Sequence, residues 1–547
     1  MNRVVRTLVL LASSIAWPVC VQAAAPAASA SAESAGERIF LRGVLSSGKE
    51  LEATSATGVT LRGQTAACAN CHRRSGLGSR EGRSIIPPIA ASYLFRPLDP
   101  TAGDRTVHYV EGVRDKRAPY SESTLARAIR DGTDSEGRTL KTLMPRFKLG
   151  AGDMDALIKY LRSLDPPSVP GVTDKVLHFA TIITPDADPA KRQAMLDVLQ
   201  NFFDERNARQ MAPTPRMHGD RVISFMVHRQ WQLHVWELTG PESSWGEQLE
   251  RRMKQEPVFA VLSGLAGHTW APVHRFCERA KVPCLFPNVE APVVADKDFY
   301  SLYFSRGVLL EADLIATRIL ARDGGAAART VHQIFRSGDT GADGAAALTA
   351  VLRKRGITVK DHAIPGGAPV DAVAEAVRAT TGTDVVVTWL RAPDLASLDN
   401  VPAPSGDVYV SGLLAGLERA PVPVAWRTHT HVAFAVDLPD RRRVRTDFAY
   451  GWFRIRHIPV VADQVQSDTL LACGLVSETL NHVSDTFVRD YLIERIEDML
   501  ERRIITGHYP RLTLATGQRF ASKGGQLVRF EPGEHPRLAT ETGWIVP

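Results

Sequence analysis

Two cysteines and a histidine lie within five consecutive residues, at Cys68, Cys71 and His72. Two thiols on one short helical turn can reach the two vinyl groups of a haem, and the adjacent imidazole then faces the iron. In an exported protein, Cys-x-x-Cys-His is the attachment signature of c-type haem. The sequence therefore predicts one covalent haem c, with both cysteines as thioether anchors and His72 as an axial iron ligand.

Two other uses of this motif fit the sequence less well. A thioredoxin-like dithiol needs a strand–helix–strand context and no histidine, and neither requirement is met at Cys68 and Cys71. A zinc site needs a second pair of ligands at suitable spacing, and the neighbouring sequence offers none.

The second axial ligand is predicted at Met144. This residue lies in an extended stretch bounded by Pro145, just before a predicted helix. A thioether ligand raises the haem potential and closes the iron to oxygen, which suits electron transfer. The alternative is that Met144 only packs in its loop, with the iron five-coordinate or bound by two histidines. Met154 is the rival thioether, but its helical spacing predicts a core position.

Two predicted helices would surround this haem. Ser121 is a suitable N-cap for a helix that ends at Gly132. Apolar residues at helical spacing follow from Met154 to Leu164, and the pair Pro166-Pro167 would stop that helix. These signals predict a small all-α domain over residues 35–165.

Residues 36–165 resemble the class I cytochrome c family through the motif at Cys68–His72 and the methionine loop at Met144. The resemblance implies an electron-transfer domain in which a proline carbonyl, from Pro87 or Pro88, holds the axial imidazole. Several arginines surround the motif in sequence, namely Arg62, Arg73, Arg74, Arg80 and Arg83. They could steer an acidic redox partner onto the haem edge, or they could simply be solvated.

The first 23 residues have the pattern of a secretory signal peptide. Arg3 and Arg6 form a short basic start, the run Thr7–Trp17 is mostly apolar, and small residues precede a cleavage point near Ala23. The sequence therefore predicts export to the periplasm.

The rest of the chain divides at a change of pattern. Residues 24–34, rich in Ala, Ser and Pro, are predicted to be a flexible lead-in, and residues 166–171 a linker to a second domain over 172–547. Lipidation at Cys20 is an alternative to simple cleavage, but Val19 stands where a small residue is expected.

Length and composition narrow the class of protein. With 547 residues the chain is too long for one core, and 44% hydrophobic with 23% charged residues excludes a disordered chain. A net charge of +6 is too small and too scattered to indicate nucleic-acid binding. No stretch after the leader has ~18 consecutive apolar residues, so no membrane span is predicted.

Beyond the linker, strands and helices alternate. Strands are predicted at Val176–Ile183, Val258–Leu262 and Val282–Phe286, with helices between them, and the alternation recurs from Val331 to Leu390. Regular alternation predicts parallel sheets covered by helices, and the length suits two lobes.

Three segments of this region resemble the type I periplasmic binding proteins, the branched-chain amino acid and amide receptors of ABC importers. The segments are Phe259–Leu265, Val282–Asn288 and Ser337–Gly344, and the similarity spans residues 175–530. The resemblance implies two doubly wound α/β lobes, hinged by three crossovers, with a small-molecule ligand between them at the strand C-termini.

The resemblance also implies four ligand contacts, at His268, Thr269, Asn288 and Glu290. The family commonly holds a substrate carboxylate with hydroxyl groups and backbone amides at a helix N-terminus. Here Gly267 stands at a usual serine position, and Glu290 would repel a carboxylate. These departures argue against an amino-acid ligand and leave an alcohol, an amide, an amine or no ligand open.

Other polar features carry weaker hypotheses. Cys277 and Cys284 could form a disulfide, which their spacing neither requires nor excludes. His429 and His431 alternate along a predicted strand but lack a third metal ligand. The basic run Arg441–Arg445 is interpreted as a solvated turn.

Together these features predict an exported, multidomain electron carrier rather than a catalyst. An all-α cytochrome c domain would transfer single electrons with a redox partner, such as a quinoprotein dehydrogenase or a terminal oxidase chain. An ABC-type solute receptor with an accessory or sensory haem is one alternative, and an oxidoreductase subunit with substrate between the lobes is another. The sequence lacks Gly-x-Ser-x-Gly, phosphate-loop and His-Glu-x-x-His motifs, so nothing in it supports hydrolase or nucleotide chemistry.

Overall fold

The structure is a computed structural model, and it describes residues 33–81, 84–97, 117–140, 143–164, 168–209, 216–218, 221–223, 229–295, 297–322, 330–380, 385–483, 486–500, 507–532 and 537–547. The predicted signal peptide, most of the lead-in and the first two residues of the predicted linker lie outside these ranges. Among the helices in these ranges, none is long and apolar enough to cross a membrane.

The N-terminal part of the chain is mostly helical. In chain order its described elements are α1 (Ala35–Arg42), β1 (Glu52–Thr54), β2 (Thr60–Arg62), α2 (Ala69–His72), β3 (Ser79–Glu81), β4 (Ser84–Ile86), α3 (Ala91–Leu94), α4 (Glu122–Asp131), β5 (Arg146–Lys148) and α5 (Ala151–Ser163). The two predicted helices are confirmed as α4, capped by Ser121 and ended by Gly132, and as α5.

Helices α1 and α5 cross closely at Gly36. A Cβ at this position would lie 2.1 Å from the carbonyl oxygen of Ala156, so a larger residue would push the two helices apart. Phe40 and Leu157 are buried in the core cluster that these helices share with α4. This apolar cluster is the core of the N-terminal part.

The all-α prediction for this part is correct only for its helices. Strands β2, β1 and β5 form a small antiparallel sheet in that order, and β3 pairs with β4. Each of these strands has only three residues, and in β1 only Ala53 is buried. Segments this short lack the alternating pattern from which a strand is predicted.

The first lobe of the following α/β part contains β6 (Val176–Ile183), α6 (Pro189–Arg209), β7 (Arg216–His218), β8 (Arg221–Ile223), β9 (Gln230–Glu237), α7 (Trp245–Gln255), β10 (Ala260–Leu262), α8 (Ala271–Ala280), β11 (Cys284–Leu285) and β12 (Ser301–Leu302). Five of these strands form a parallel sheet in the order β12-β11-β10-β6-β9. The predicted strand at Val176–Ile183 is confirmed residue for residue.

The second lobe contains α9 (Val308–Arg322), β13 (Thr330–Arg336), α10 (Gly341–Arg353), β14 (Thr358–Ile364), α11 (Asp371–Arg378), β15 (Val385–Trp389), α12 (Ala392–Ala396), β16 (Val408–Ser411), α13 (Gly412–Ala415) and β17 (Thr430–Phe434). Strands β14, β13, β15, β16 and β17 are parallel neighbours in that order. The doubly wound arrangement predicted for this part is therefore present.

The chain then returns to the first lobe before it ends in the second. Helices α14 (Pro439–Ile455), α15 (Asp463–Val483) and α16 (Arg489–Leu500) come next, followed by β18 (Gln526–Phe530) and β19 (Leu538–Thr540). Thr469 of α15 contacts Ser263 of the first lobe, whereas β18 pairs antiparallel with β17. The chain thus crosses between the lobes near residues 305, 437 and 523, and the crossovers bring α15 to the boundary between them.

Two of the weaker interpretations are wrong. The basic run at 441–445 is part of α14, where Arg442 is buried and pairs with Glu418 at 2.6 Å. His429 ends a short 3-10 helix, so it does not alternate with His431 along β17. For the basic run, the partner that accounts for the burial of Arg442 lies outside the run.

Candidate haem-attachment site and inter-lobe cleft

The Cys-x-x-Cys-His motif forms a single helical turn. Cys68 precedes α2, and its carbonyl oxygen accepts from the backbone N–H groups of Cys71 at 3.2 Å and His72 at 2.9 Å. Neither cysteine is in a disulfide, and Cys71 is exposed. The turn therefore presents two thiols and one imidazole from adjacent positions, as thioether attachment to a haem requires.

His72 is oriented by a backbone carbonyl. Its Nδ1 lies 2.9 Å from the carbonyl oxygen of Pro87. A carbonyl only accepts, so Nδ1 carries the proton and Nε2 keeps the lone pair that could bind iron. Burial lowers the pKa of His72 to about 4, which keeps the imidazole neutral. The prediction that a proline carbonyl holds this ring is confirmed, with Pro87 as the proline.

Met144 and Cys68 pack against the same apolar cluster of the N-terminal part. The guanidinium of Arg146 donates to the Met144 carbonyl oxygen at 3.0 Å and fixes this loop. Met154 is 1% exposed inside the cluster, so its predicted core position is confirmed. Cys68 and Met144 thus share one cluster, and the turn at Cys68–His72 adds a second thiol and a neutral imidazole, a set that fits a haem c.

The segment that follows the motif is bound by the second part of the chain. The backbone N–H and hydroxyl of Ser75 donate to the two oxygens of Glu494 on α16, at 2.9 and 2.6 Å. Arg73 donates to Glu497 at 2.6 Å, and Arg74 donates to Asp490 at 3.2 Å. We name this contact between residues 73–75 and α16 the docking interface.

The docking interface changes the interpretation of the arginines around the motif. Arg73 and Arg74 pair with carboxylates of their own chain, so they do not present free charges to a redox partner. Arg62 pairs with Glu52 at 2.9 Å. The side chains of Arg80 and Arg83 lie outside the described part of the structure.

Glu497 is the most enclosed carboxylate of the docking interface. Its side chain is 2% exposed and is flanked by Arg73 and Arg519. Burial raises the pKa of Glu497, and the two guanidinium groups oppose this shift. Burial also raises the pKa of Glu494, to about 8. Each of these two carboxylates has both oxygens paired, so their acceptor atoms are satisfied within the interface.

An apolar patch extends the docking interface. Leu77, Ala90 and Tyr93 of the N-terminal part are buried against Val483, the last residue of α15, and Tyr491 of α16. Helix α15 thus has one end on the N-terminal part. Its other end reaches the cleft between the lobes.

A cavity of about 410 Å³ lies in that cleft. Asn288 and Glu290 line it from the ends of first-lobe strands, and Asp463 and Asp468 line it from the first turns of α15. Glu311 of the second lobe closes the opposite side. The volume falls within the range of ~300–1,000 Å³ that small-molecule sites occupy.

Of the four predicted ligand contacts, Asn288 and Glu290 line this cavity, whereas His268 and Thr269 lie outside its lining. The Asn288 amide donates to Ser263 at 2.9 Å. His268 Nε2 lies 3.2 Å from Asp343 of the second lobe, and this hydrogen bond raises the pKa of His268.

Glu290 belongs to an ion network across the cleft. Lys191 of the first lobe contacts it at 3.2 Å, and Arg391 of the second lobe at 2.8 Å. Arg391 also contacts Asp339 at 2.6 Å. Burial acts to raise the pKa of Glu290, but the two cations outweigh burial and lower it. The network joins the lobes and neutralises the charge of Glu290.

The loop at Gly267 has no space for a serine. A Cβ there would lie 2.2 Å from the carbonyl oxygen of Asp186. The Gly267 N–H donates to the Thr184 hydroxyl at 3.1 Å, so this amide is already used. The departure from the family pattern at this position is therefore enforced by the backbone of Asp186.

Several residues of the cavity were missed by sequence reasoning. They are Lys191, Glu311, Glu418, Arg442, Asp463, Asp468, His508 and Tyr509. Asp468, which directly precedes the apolar stretch of α15, was the one available signal. The others are spread over more than 300 residues of sequence, from Lys191 to Tyr509, and no local pattern connects them.

Cys277 and Cys284 are both fully buried free thiols. The two thiols are hydrogen-bonded to each other, and burial raises the pKa of Cys277 well above its usual value. The structure therefore has no disulfide at this pair.

Comparison with known proteins finds similar proteins for both parts of the chain. Residues 55–165 match the family model of cytochrome c. Comparison with curated protein sequences found no match. The chain therefore contains a cytochrome c domain, preceded by a short helical segment and followed by the α/β part.

Solved structures resemble the α/β part. One is a possible leucine/isoleucine/valine-binding protein from Rhodopirellula baltica, with 13% identity, a TM-score of 0.51, and coverage of 69% of this chain and 98% of that one. Another is a branched-chain amino acid ABC transporter protein from Thermus thermophilus with bound valine, with 10% identity, a TM-score of 0.50, and coverage of 68% and 97%. The α/β part thus has the fold of the type I periplasmic binding proteins.

Proposed function

We propose that this protein is an exported haem c electron carrier whose solute-binding module is docked against the haem-attachment segment. The observation that carries the proposal is the turn at Cys68–His72, which presents two thiols on one helical turn and donates the Nδ1–H of His72 to the Pro87 carbonyl. Cys68 and Cys71 would hold the haem, and His72 and Met144 would bind its iron. The haem supplies reversible one-electron chemistry when bound.

The chain's own residues prepare the site for this group. Pro87 fixes the tautomer of His72, and Arg146 fixes the loop of Met144. Cys71 is exposed and Leu143 is 62% exposed. The surface beside the attachment turn and the surface beside the Met144 loop are therefore open to a partner. The proposed partner is a periplasmic dehydrogenase, such as a quinoprotein, with electrons leaving toward a terminal oxidase chain.

The second module would then serve as a docking and solute-binding unit. The docking interface orients it against the cytochrome domain, and the cleft holds a small molecule between the lobes. A receptor with a sensory haem is the second candidate function. The specific observation that favours it is α15, which contacts both the cleft and the apolar patch at Val483.

The haem assignment is tested on full-length protein produced in a host with cytochrome c maturation enzymes. We expect one covalent haem per chain by pyridine haemochrome assay and by haem staining after denaturing electrophoresis. Cys68→Ala combined with Cys71→Ala should abolish both signals, whereas the control Cys473→Ala, a buried core cysteine, should retain them. Covalent haem that survives the double substitution would refute the assignment.

The partner assignment is tested by mixing oxidised full-length protein with a reduced quinoprotein dehydrogenase in a stopped-flow spectrometer. An electron carrier should be reduced within the turnover time of the dehydrogenase. Reduction far slower than turnover, together with a haem signal that responds to cleft ligands, would favour the sensory receptor instead.

A further inference from the structure

The cleft lining carries more carboxylates than cations. Five carboxylates line it, from Glu290, Glu311, Glu418, Asp463 and Asp468, and the charged cations are Lys191, Arg419 and Arg442. Lys191 pairs with Glu290 and Arg442 pairs with Glu418. Arg419 is exposed at the rim, where solvent screens its charge. Burial raises the pKa of Glu311 to about 8, so this group is neutral at pH 7. Among the described residues, Asp463 and Asp468 are the other lining carboxylates without a Lys or Arg ion pair, and they give the interior its negative charge.

Asp468 is the carboxylate with the least complete set of partners. It is 6% exposed, and its Oδ2 accepts from the Tyr509 hydroxyl at 3.0 Å. Its Oδ1 meets no hydrogen-bond geometry among the described residues, although the Gln464 side chain lies near enough to lower the pKa of Asp468. A buried acceptor without a well-formed hydrogen bond lowers stability, and this cost is recovered when a ligand donates to it.

Within the described part of the chain, two further polar atoms of the lining are buried without a hydrogen-bond partner. They are Glu418 Oε2 and His508 Nδ1. His508 is fully buried, and its Nε2 lies 3.2 Å from Asp463. Although burial opposes it, this hydrogen bond lowers the pKa of Asp463 to about 2, so Asp463 is ionised at neutral pH. The unpartnered acceptors thus lie beside a fixed negative charge.

Among the described residues, two groups that could bind an anionic ligand near the cleft are already used. The amide of Gly267 is donated to Thr184, and the guanidinium of Arg391 is shared between Glu290 and Asp339. A carboxylate in the cavity would face Asp463 and Asp468 at close range. The cavity therefore disfavours the binding of a ligand that has a free carboxylate.

We propose that the cleft binds a small organic cation with N–H donors, of the primary amine class. The amine would donate to Asp468 Oδ1 and Glu418 Oε2, and its hydrocarbon part would pack on Phe304 and Tyr509, whose rings lie 5.7 Å apart in the lining. This inference rests on the proposed solute-binding role of the second module.

The test is isothermal titration calorimetry on the full-length protein with two isosteric series. One series is butylamine, butanol and butyrate, and the other is benzylamine, benzyl alcohol and benzoate. A quaternary control, benzyltrimethylammonium, has the charge but no N–H donor. We expect an amine of one series to bind at millimolar concentration or below, and its alcohol, its carboxylate and the quaternary ion at least tenfold more weakly.

Binding of a carboxylate or an alcohol as tight as that of its amine would overturn the amine assignment but leave the cleft as a ligand site. No binding by any member of either series would overturn both. The haem assay is independent of these outcomes.

Two variants locate the contact. Asp468→Asn keeps the acceptor for Tyr509 and removes the charge, so we expect amine affinity to fall about tenfold or more. Asp343→Asn is the matched control, since Asp343 lies at the lobe boundary but outside the lining. Equal losses in both variants would contradict direct recognition by Asp468. If Asp468→Asn fails to fold, the comparison of amine with alcohol on the unchanged chain still decides the ligand class.

Discussion

The docking interface and the cleft both contain buried carboxylates, but their partners differ. Glu497 at the interface is flanked by two guanidinium groups, and both oxygens of Glu494 accept from Ser75. Asp468 in the cleft has one oxygen paired with Tyr509 and one without a well-formed hydrogen bond among the described residues. Removing a fully paired carboxylate leaves its buried partners unpaired, whereas a half-paired one has an oxygen available to accept from a ligand.

The largest expected effect is at the docking interface. Glu497→Gln removes the charge between two enclosed arginines, and breaking a buried pair from one side costs about 3–5 kcal/mol. We therefore expect a large drop in the free energy of unfolding, measured by chemical denaturation of the full-length protein. The matched control is Glu122→Gln, whose pair with Arg162 is exposed and worth less than ~1 kcal/mol. Equal drops in the free energy of unfolding for the two substitutions would contradict the claim that the enclosed carboxylate of the docking interface matters more than an exposed one.

In the cleft we expect the opposite effect, a rise in the free energy of unfolding when a carboxylate is neutralised. Burial raises the pKa of Asp468 to about 6, so the folded state disfavours its charged form. The stability that protonation contributes is complete below the unfolded pKa of ~3.9 and is lost as the pH rises through about 6. Without ligand, Asp468→Asn should therefore raise the free energy of unfolding at pH 7, on the order of 1–3 kcal/mol.

This gain should disappear near pH 4, where the wild-type carboxyl is also neutral. Thermal unfolding of both proteins between pH 4 and pH 8 measures the difference directly. A variant that is less stable than wild type at pH 7 would mean that Asp468 supports the fold in the same way as Glu497.

The smallest expected effect is a shift of the haem potential on ligand binding, transmitted through α15. This helix has 21 residues, about 30 Å, with Asp463 and Asp468 in the cleft and Val483 against the cytochrome domain. If ligand and haem are coupled, each shifts the other by the same free energy, ~1–3 kcal/mol or tens of millivolts for one electron.

A saturating amine should therefore shift the haem midpoint potential of the full-length protein, and Val483→Ala should reduce the shift because it removes packing at one end of α15. A potential that is unchanged at saturation would show that the modules are only tethered.

The comparison also explains what the sequence could predict. The attachment turn and the orientation of His72 depend on contacts within the segment 68–87, so a five-residue motif is sufficient to predict them. The choice of Pro87 over Pro88 needed the fold. The two-lobed fold followed from regular alternation, because buried parallel strands such as β6 are strongly apolar. The roles of Cys68, Cys71, His72 and Met144 at a haem remain predictions.

The cleft and the docking interface could not be predicted in the same way. Their residues meet only after the chain has crossed between the lobes, as when Ser75 meets Glu494 or Arg442 meets Glu418. The basic run in α14 shows the consequence, since an isolated segment with four arginines resembles a solvated turn. Its partner Glu418 lies in a short 3-10 helix after α13, and only the assembled fold places the two together.

The central claim, that the N-terminal domain is a one-electron carrier, is tested most directly by spectroelectrochemical titration of the full-length protein. The account predicts a single reversible one-electron wave and, in the ferric state, a weak sulfur-to-iron band at the red end of the spectrum. Met144→Ala should remove the band and lower the midpoint potential, while Met154→Ala should leave both unchanged. The absence of a reversible one-electron wave from the purified protein would contradict the claim.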